Sequence, residues 1–342
     1  MRFDFDPKKN MTKLDYVLMQ GNRAIDTARF YFDGFLSTKR IVKNWPEVFF
    51  FRLGLKKAIT MKLRSGSIVK INKPEDYSNF WVEQGPMALL SKQVNSGRKI
   101  KIDGHKKTIK FNTMQRSVSL AYDSNKQLLN TFGLITEQFI EEQYKWLDVK
   151  GKDVIDIGAS VGDTAIYFAL NGARHVYAFE PYSYSYKLAL KNIKLNGLQN
   201  KITLLNEGCG GKECSISIDI NYQNTVSTEL KEFNKGKEIK VITLRSIIKR
   251  FDIRDSAILK VDCEGCEYGT LLKSQNSDLR KFQQIQFEYH YGYLNLKKKL
   301  EEAGFVVKKT CPGYSLNKDA ENKGMFLGLI YAERGHEHLT TV

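Results

Sequence analysis

DVIDIGASVGDTAIYFAL, residues 153–170, reads as a buried strand that turns directly into a helix. Val154, Ile155 and Ile157 supply the apolar strand. Asp156 carries a carboxylate toward the rim where open α/β sheets bind ligands. Gly158, Ala159, Ser160, Val161 and Gly162 form the turn. Glycine has no Cβ, so a ligand can approach the backbone closely at Gly158 and Gly162. Asp163 and Thr164 suit a first helical turn, where side-chain oxygens accept orphaned backbone N–H groups.

Working outward, everything after this turn alternates strand and helix, the pattern of a parallel sheet covered on both faces. Strands are expected over 175–180, 201–206, 257–262 and 283–290, with 305–309 and 325–332 completing the sheet. A further amphipathic strand is expected over 214–220. Helices are expected over 182–195, 243–251 and 294–303, the first of them stopped by Asn196-Gly197. The preceding half reads differently. Residues 11–44 have near-helical apolar spacing. Residues 58–71 and 98–111 read as hairpins about Ser65-Gly66 and Asp103-Gly104, the second suited to a type I′ turn. Residues 136–147 read as a helix with acids in its first turns. Two domains follow: a basic N-terminal α+β accessory or substrate-recognition domain over 1–130, and a second over 131–342, with the boundary falling within 115–135.

The chain has 342 residues, 42% of them hydrophobic, enough to bury a core in each domain. Its net charge of +16 is uneven: residues 1–150 hold 27 basic and 15 acidic side chains, or +12, which leaves +4 for the remainder. An anionic partner would therefore meet the N-terminal part first. The charged opening MRFDFDPKKN lacks the apolar core of a signal peptide. No run is long enough to span a bilayer. The apolar patch from Val48 to Leu55, broken by Arg52, reads as core, with a membrane-surface contact as the lesser reading. The five cysteines, Cys209, Cys214, Cys263, Cys266 and Cys311, are odd in number. They read as reduced thiols in a cytoplasmic protein. Cys263-x-x-Cys266 has metal-ligand spacing, and Cys209 and Cys214 would complete four thiolates. Small-residue packing at a strand end accounts for the pair better, and no metal is expected.

Glu180, at the end of the next strand, supplies a second acid near the glycine turn, and such an acid accepts the hydroxyls of a ribose. The turn reads G-A-S-V-G, without the middle glycine of G-x-G-x-x-G that lets a pyrophosphate approach. A ligand with a ribose and no pyrophosphate fits, and S-adenosylmethionine is such a ligand. VIDIGASVGDTAIYF, AFEPYSYSYKLALKNIKLN and ILKVDCEGCEYGTLL together resemble the FkbM-type S-adenosylmethionine-dependent methyltransferases, over roughly residues 137–332. The most specific piece is KVDCEGCE. The resemblance implies a class I (Rossmann-like) methyltransferase sheet of seven strands, the last antiparallel. It also implies methyl transfer to oxygen, commonly a hydroxyl of a sugar or a polyketide. Carried over by position, Asp156, Gly158, Ala159, Gly162 and Glu180 would hold the cofactor, with Thr164 and Pro181 beside them. Position 160, usually asparagine in that family, is Ser160 here, which shortens one polar contact.

The sulfonium of such a cofactor is already a strong electrophile, so the protein mainly aligns the attacking oxygen. A base helps when the nucleophile is an alcohol. His290, Asp262 and Glu264 are the first candidates, with Glu267 and Glu288 close behind. A strand-end histidine bonded to backbone is an equal reading of His290. Glu267 suits a first-turn helix acid. Tyr182, Tyr184, Tyr186, Tyr289, Tyr291 and Tyr293 offer either a sugar-stacking surface or ordinary packing. The favoured partner is a small-molecule or glycan acceptor. An RNA methyltransferase that holds phosphates on its basic N-terminal part is the alternative, although D-C-E-G replaces the N-P-P-aromatic motif of base-amino enzymes. A third reading, a fold that binds partners without turnover, sits poorly with an intact Asp156–Glu180 pair.

Overall fold

Asp153–Ile157 (β1) is buried along its whole length, as a strand covered on both faces must be. In a computed structural model, described over residues 6–22, 38–39, 42–62, 64, 68–73, 100–113, 116–218, 236–314 and 325–335, this strand lies at the centre of a sheet. His175–Phe179 (β2) and Ile202–Leu205 (β3) follow in parallel on one side. Ala257–Val261 (β4) and Phe282–Tyr289 (β5) follow in parallel on the other. Phe326–Arg334 (β7) runs antiparallel between β5 and Phe305–Lys309 (β6). The order is β3-β2-β1-β4-β5-β7-β6, with the short strand Gly313–Tyr314 paired to β7. This is the seven-stranded class I methyltransferase arrangement, its last strand antiparallel.

The crossovers are helical: Asp163–Leu170 (α1), Ser183–Leu195 (α2), Leu244–Arg250 (α3), Cys266–Lys273 (α4) and Leu294–Glu302 (α5). Thr243 starts α3 by accepting the Ser246 N–H through Oγ1. The expected strand over 214–220 is observed as Cys214–Ile218, and its last two residues lie outside the described ones. It pairs with Lys237–Ile242, which also meets Gly208–Cys209, so it belongs to a separate three-stranded sheet.

The chain divides into two compact units, one of residues 1–19 with 134–342 and one of residues 20–133. In the first, Met11 and Met19 join the core of the main sheet. The Asn10 carbonyl accepts the Tyr293 N–H at 2.7 Å, and the Asn10 amide donates to the Tyr291 carbonyl at 3.0 Å. Asp15 pairs with Lys309 of β6 at 2.5 Å.

The second unit has α+β content. Of the helix expected over 11–44, residues 13–22 are helical, most of them in the first unit, and most of 23–41 lies outside the described residues; a separate helix, Trp45–Arg52, stands beyond the expected span. Ile59–Lys62 and Ile68–Ile71 pair antiparallel, and their turn at Ser65-Gly66 also lies outside. The second hairpin differs from expectation. Asp103 pairs with Thr108, so the loop runs from Gly104 to Lys107, with Lys107 at φ 51° and the Asp103 carboxylate taking the Lys106 N–H. It is not a two-residue type I′ turn. A third strand, Ser117–Ala121, extends it. The apolar patch is core at Val48 and Phe51 alone, and Phe49, Phe50, Leu53 and Leu55 are exposed.

The helix expected over 136–147 is instead Asn125–Ile135 followed by a π turn, Thr136–Ile140. Glu142 stands at φ 52° and cannot continue the helix. Among the described residues, no helix is long and apolar enough to cross a membrane.

Candidate active site

The bend after β1 is left-handed at Gly158 (φ 79°), Ser160 (φ 46°) and Gly162 (φ 82°). The space a Cβ would need is taken by the protein itself. At Gly158 it would strike the Asp262 carbonyl after β4, and at Gly162 it would lie 3.2 Å from the Ala189 Cβ of α2. These glycines therefore seat β4 and α2 against the bend, a different use from the ligand approach expected of them. The fully buried Asn192 of α2 donates to the Val161 carbonyl at 2.8 Å and pins the bend. With the chain so held, the Ser160 N–H donates to Glu180 Oε2 at 2.9 Å, and the Tyr182 N–H donates to Oε1 at 2.8 Å. Glu180 is thus oriented by backbone donors from both sides.

Asp156 does not reach the rim. It is fully buried, accepts the Thr164 hydroxyl at 2.5 Å and pairs with Lys260 at 3.0 Å. The register explains the pair, because Lys260 of β4 stands directly opposite Asp156 of β1. Lys260 Nζ also donates to the Gly158 carbonyl at 2.8 Å, which ties the ion pair to the bend. The sequence reading missed this lysine. Its signal was there: one cation inside the apolar run AILKV has to find an anion.

Above the carboxyl ends of β1, β2, β4 and β5 opens a crevice of about 1020 Å³, including the space at its mouth. Gly158, Ser160, Asp163, Thr164, Glu180, Pro181, Tyr182 and Glu207 line it, and so does an acidic group, Glu137, Asp262, Glu264 and Glu288, whose charges act on one another. Asp156, Ala159, Gly162 and His290 are buried and are not among the residues that line it. Burial pushes the Glu180 carboxyl up to about 8, against the pull of its two backbone donors. Burial pushes Asp163 up to about 7, against the attraction of Lys260. Asp163 Oδ1, buried in the crevice wall, has no hydrogen-bond partner among the described residues.

A stability trend follows from these two acids. Between their ordinary values and the raised ones, the folded protein holds protons that the unfolded chain has already released. Their contribution is complete below the ordinary carboxylate range and is lost as pH rises through about 7 to 8. The ligand-free protein is expected to melt at a lower temperature at pH 9 than at pH 6, and Glu180→Gln should flatten that slope. Thermal denaturation across the range checks both.

At the acidic end, His290 sits between two glutamates, with Nε2 3.1 Å from Glu264 and Nδ1 2.8 Å from Glu267. Burial alone would lower its basicity, but Glu267 and then Glu264 override this and hold the ring charged. Glu267 Oε2 also accepts the Gly265 N–H at 2.9 Å. Burial and then the neighbouring Asp262 carboxylate raise both Glu288 and Glu137. Tyr144 donates to Asp262 at 3.3 Å. Tyr289, Tyr291 and Tyr293 are buried in the core of the sheet, so they pack rather than present rings to a ligand. Tyr182 alone of the six tyrosines lines the crevice.

Cys263 and Cys266 are joined in a disulfide, contrary to the expectation of five reduced thiols. Glu264 (φ 56°) and Gly265 (φ 119°) both turn left-handed between them, which curls the chain until the two Cα atoms are 5.4 Å apart. That distance is within disulfide range. With two thiols consumed and Cys209, Cys214 and Cys311 free, a four-thiolate metal site cannot form.

Residues 156–307 match the methyltransferase FkbM domain. Over 83 residues the chain is 35% identical to a ribosomal protein L11 methyltransferase of Carboxydothermus hydrogenoformans, covering 24% of this chain and 27% of that one. Over 146 residues it is 28% identical to an uncharacterized protein 158B of Sulfolobus islandicus rod-shaped virus 1, covering 43% of this chain and 63% of that one. The chain thus spans less than two thirds of either relative. A solved structure, the SAM-dependent methyltransferase from Agrobacterium tumefaciens, aligns with a TM-score of 0.39 at 10% identity, over 67% of this chain and 70% of that chain.

Proposed function

We propose that the FkbM methyltransferase domain carried by residues 156–307 transfers a methyl group from S-adenosylmethionine to a hydroxyl of a sugar, glycan or related small molecule. The observation that carries this reading is the presence, in one crevice, of a backbone-oriented acid, Glu180, and an acidic group, Glu137, Asp262, Glu264 and Glu288.

The residues suit the cofactor. Both oxygens of Glu180 keep a lone pair for a ribose hydroxyl after taking one backbone N–H each. Asp163, with a buried oxygen still unbonded among the described residues, suits the cofactor's ammonium group. Gly158, Ser160 and Pro181 shape the wall between them, while Asp156, Ala159, Gly162 and Thr164 hold the bend from behind or beside it. S-adenosylmethionine supplies an electrophilic methyl group, and the chain's own work is alignment and proton removal.

The acidic end suits hydroxyl donors, which bond well to carboxylates, and repels the phosphates of a nucleic acid. His290, held charged between two glutamates, orients Glu264 and is not itself the base. Glu264, partly exposed at the crevice wall, is placed to take the proton. The excess of positive charge before residue 150 would serve an anionic glycan as well as an RNA. In this reading residues 1–130 act as a basic module for substrate recognition.

Labelled methyl donor, incubated with the protein and separately with saccharides, RNA and protein extracts, tests the reading. Label on a saccharide hydroxyl is the expected outcome. Label confined to RNA or protein would replace this reading with one of those two.

A further inference from the structure

We infer that Asp262, Glu288 and His290 form a site for a divalent cation of the Mn²⁺ or Zn²⁺ class at the acidic end of the crevice. Its catalytic role rests on the proposed transfer to a hydroxyl, while its existence rests on geometry alone.

One ligand atom from each of the three residues lies within 4.8 Å of the other two. Neighbouring ligands about a first-row ion, each about 2.0–2.2 Å from it, stand roughly 3 Å apart, so small side-chain rotations close the set. The backbone that carries them is rigid. Asp262 directly follows β4, Glu288 lies in β5 and His290 directly follows it, and the two strands are paired in parallel up to Val261 and Phe287.

The histidine is oriented as a metal ligand's second shell orients it. Glu267 is fully buried, fixed through Oε2 by the Gly265 N–H, and holds His290 Nδ1 at 2.8 Å. A carboxylate on one ring nitrogen sets the tautomer that leaves the other nitrogen to the metal. That other nitrogen, Nε2, points toward Glu264 in the crevice wall. The charge balance agrees. The basic side chain among the described crevice-lining residues is Lys260, and it is committed to Asp156. Two carboxylates and one imidazole match a first-row divalent ion better than Ca²⁺, and they leave positions open for the oxygens of an acceptor.

When the ion takes Nε2, the ring proton leaves to solvent and Glu264 is released from the histidine. A hydroxyl on the ion gives up its proton more readily. Its oxygen forms a bond to the methyl carbon as the carbon–sulfur bond breaks. The electron pair stays on sulfur, which becomes a thioether, and the hydroxyl proton passes to Glu264.

The test uses the full chain, stripped with a chelator and dialysed, and titrated with Mn²⁺ while free ion is read by electron paramagnetic resonance. Wild type is expected to bind one ion saturably. Glu288→Gln and His290→Gln should each weaken binding about tenfold or more, and Glu267→Gln, which touches no ion, by roughly 10–100-fold. Circular dichroism of each variant confirms that it is folded. No saturable binding of Mn²⁺ or Zn²⁺ by wild type, or equal affinity in wild type and folded Glu288→Gln, overturns the site. Methyl transfer at full rate under chelation overturns its catalytic role while leaving the transfer reading intact. Saturable, Glu288-dependent binding in a protein that methylates no hydroxyl supports the site and removes the transfer reading instead.

Discussion

Lys260→Met is expected to destabilise the fold by about 3–5 kcal/mol, the usual cost of leaving one partner of a buried ion pair alone. Lys260 is 1% exposed and Asp156 0%, so neither charge has water to fall back on. The loss would also be transmitted. Lys260 spans β4 and β1 and holds the Gly158 carbonyl, while Tyr144 covers its ammonium at 5.7 Å. Removing it frees the start of the bend on which Glu180 depends. Pairing the change with Asp156→Leu should recover much of the stability, because a buried ion pair is often replaced by apolar residues at little cost. Urea denaturation of the two single variants and the double variant gives the comparison. A single variant as stable as wild type would mean that the pair is not buried as described.

Gly158→Ala is expected to have the second largest effect. A φ of 79° strains any residue with a Cβ, at about 1–3 kcal/mol. The new methyl would also be driven into the Asp262 carbonyl. That obstacle is main chain and cannot rotate away, so β4 must move from β1 at the floor of the crevice. Stability should fall by about 2 kcal/mol or more, and affinity for the demethylated cofactor product should fall with it. Gly162→Ala meets a side-chain methyl at 3.2 Å as well as an unfavourable φ, and its effect on the crevice should be smaller. If Gly158→Ala bound and melted as wild type does, the close approach of β4 would be wrong.

The sheet was legible because its signals are local. Apolar runs such as AILKV and HVYAF, bounded by turns, place the strands to within a residue or two of their observed ends. The bend at 158–162 was found for the right residues and an incomplete reason. Nothing local says that Asp262 and Ala189, far along the chain, occupy the space left by the missing side chains. Asp156 was placed at the rim because strand-end acids often sit there, and the register with Lys260 pulls it inward instead. The acidic end was readable in part. Asp262, Glu264 and His290 stood out, but Glu137 reaches them from a π turn that no spacing announces. The disulfide depends on two consecutive left-handed residues, one of them a glutamate. The third strand of the meander at 100–121, Ser117–Ala121, was not among the expected strands, although its buried Val118 and Leu120 alternate with serines.

Calorimetric titration with S-adenosylhomocysteine, run on wild type and on Glu180→Ala, tests the central claim most directly. At a pH above 8, where the Glu180 carboxyl is ionised, a hydrogen bond to this charged acceptor contributes about 1.5–3 kcal/mol, so wild type should bind and the variant should bind at least about tenfold more weakly. A wild type that does not bind, or a variant that binds as tightly as wild type, would contradict the assignment of Glu180 and the bend before it as the nucleoside seat.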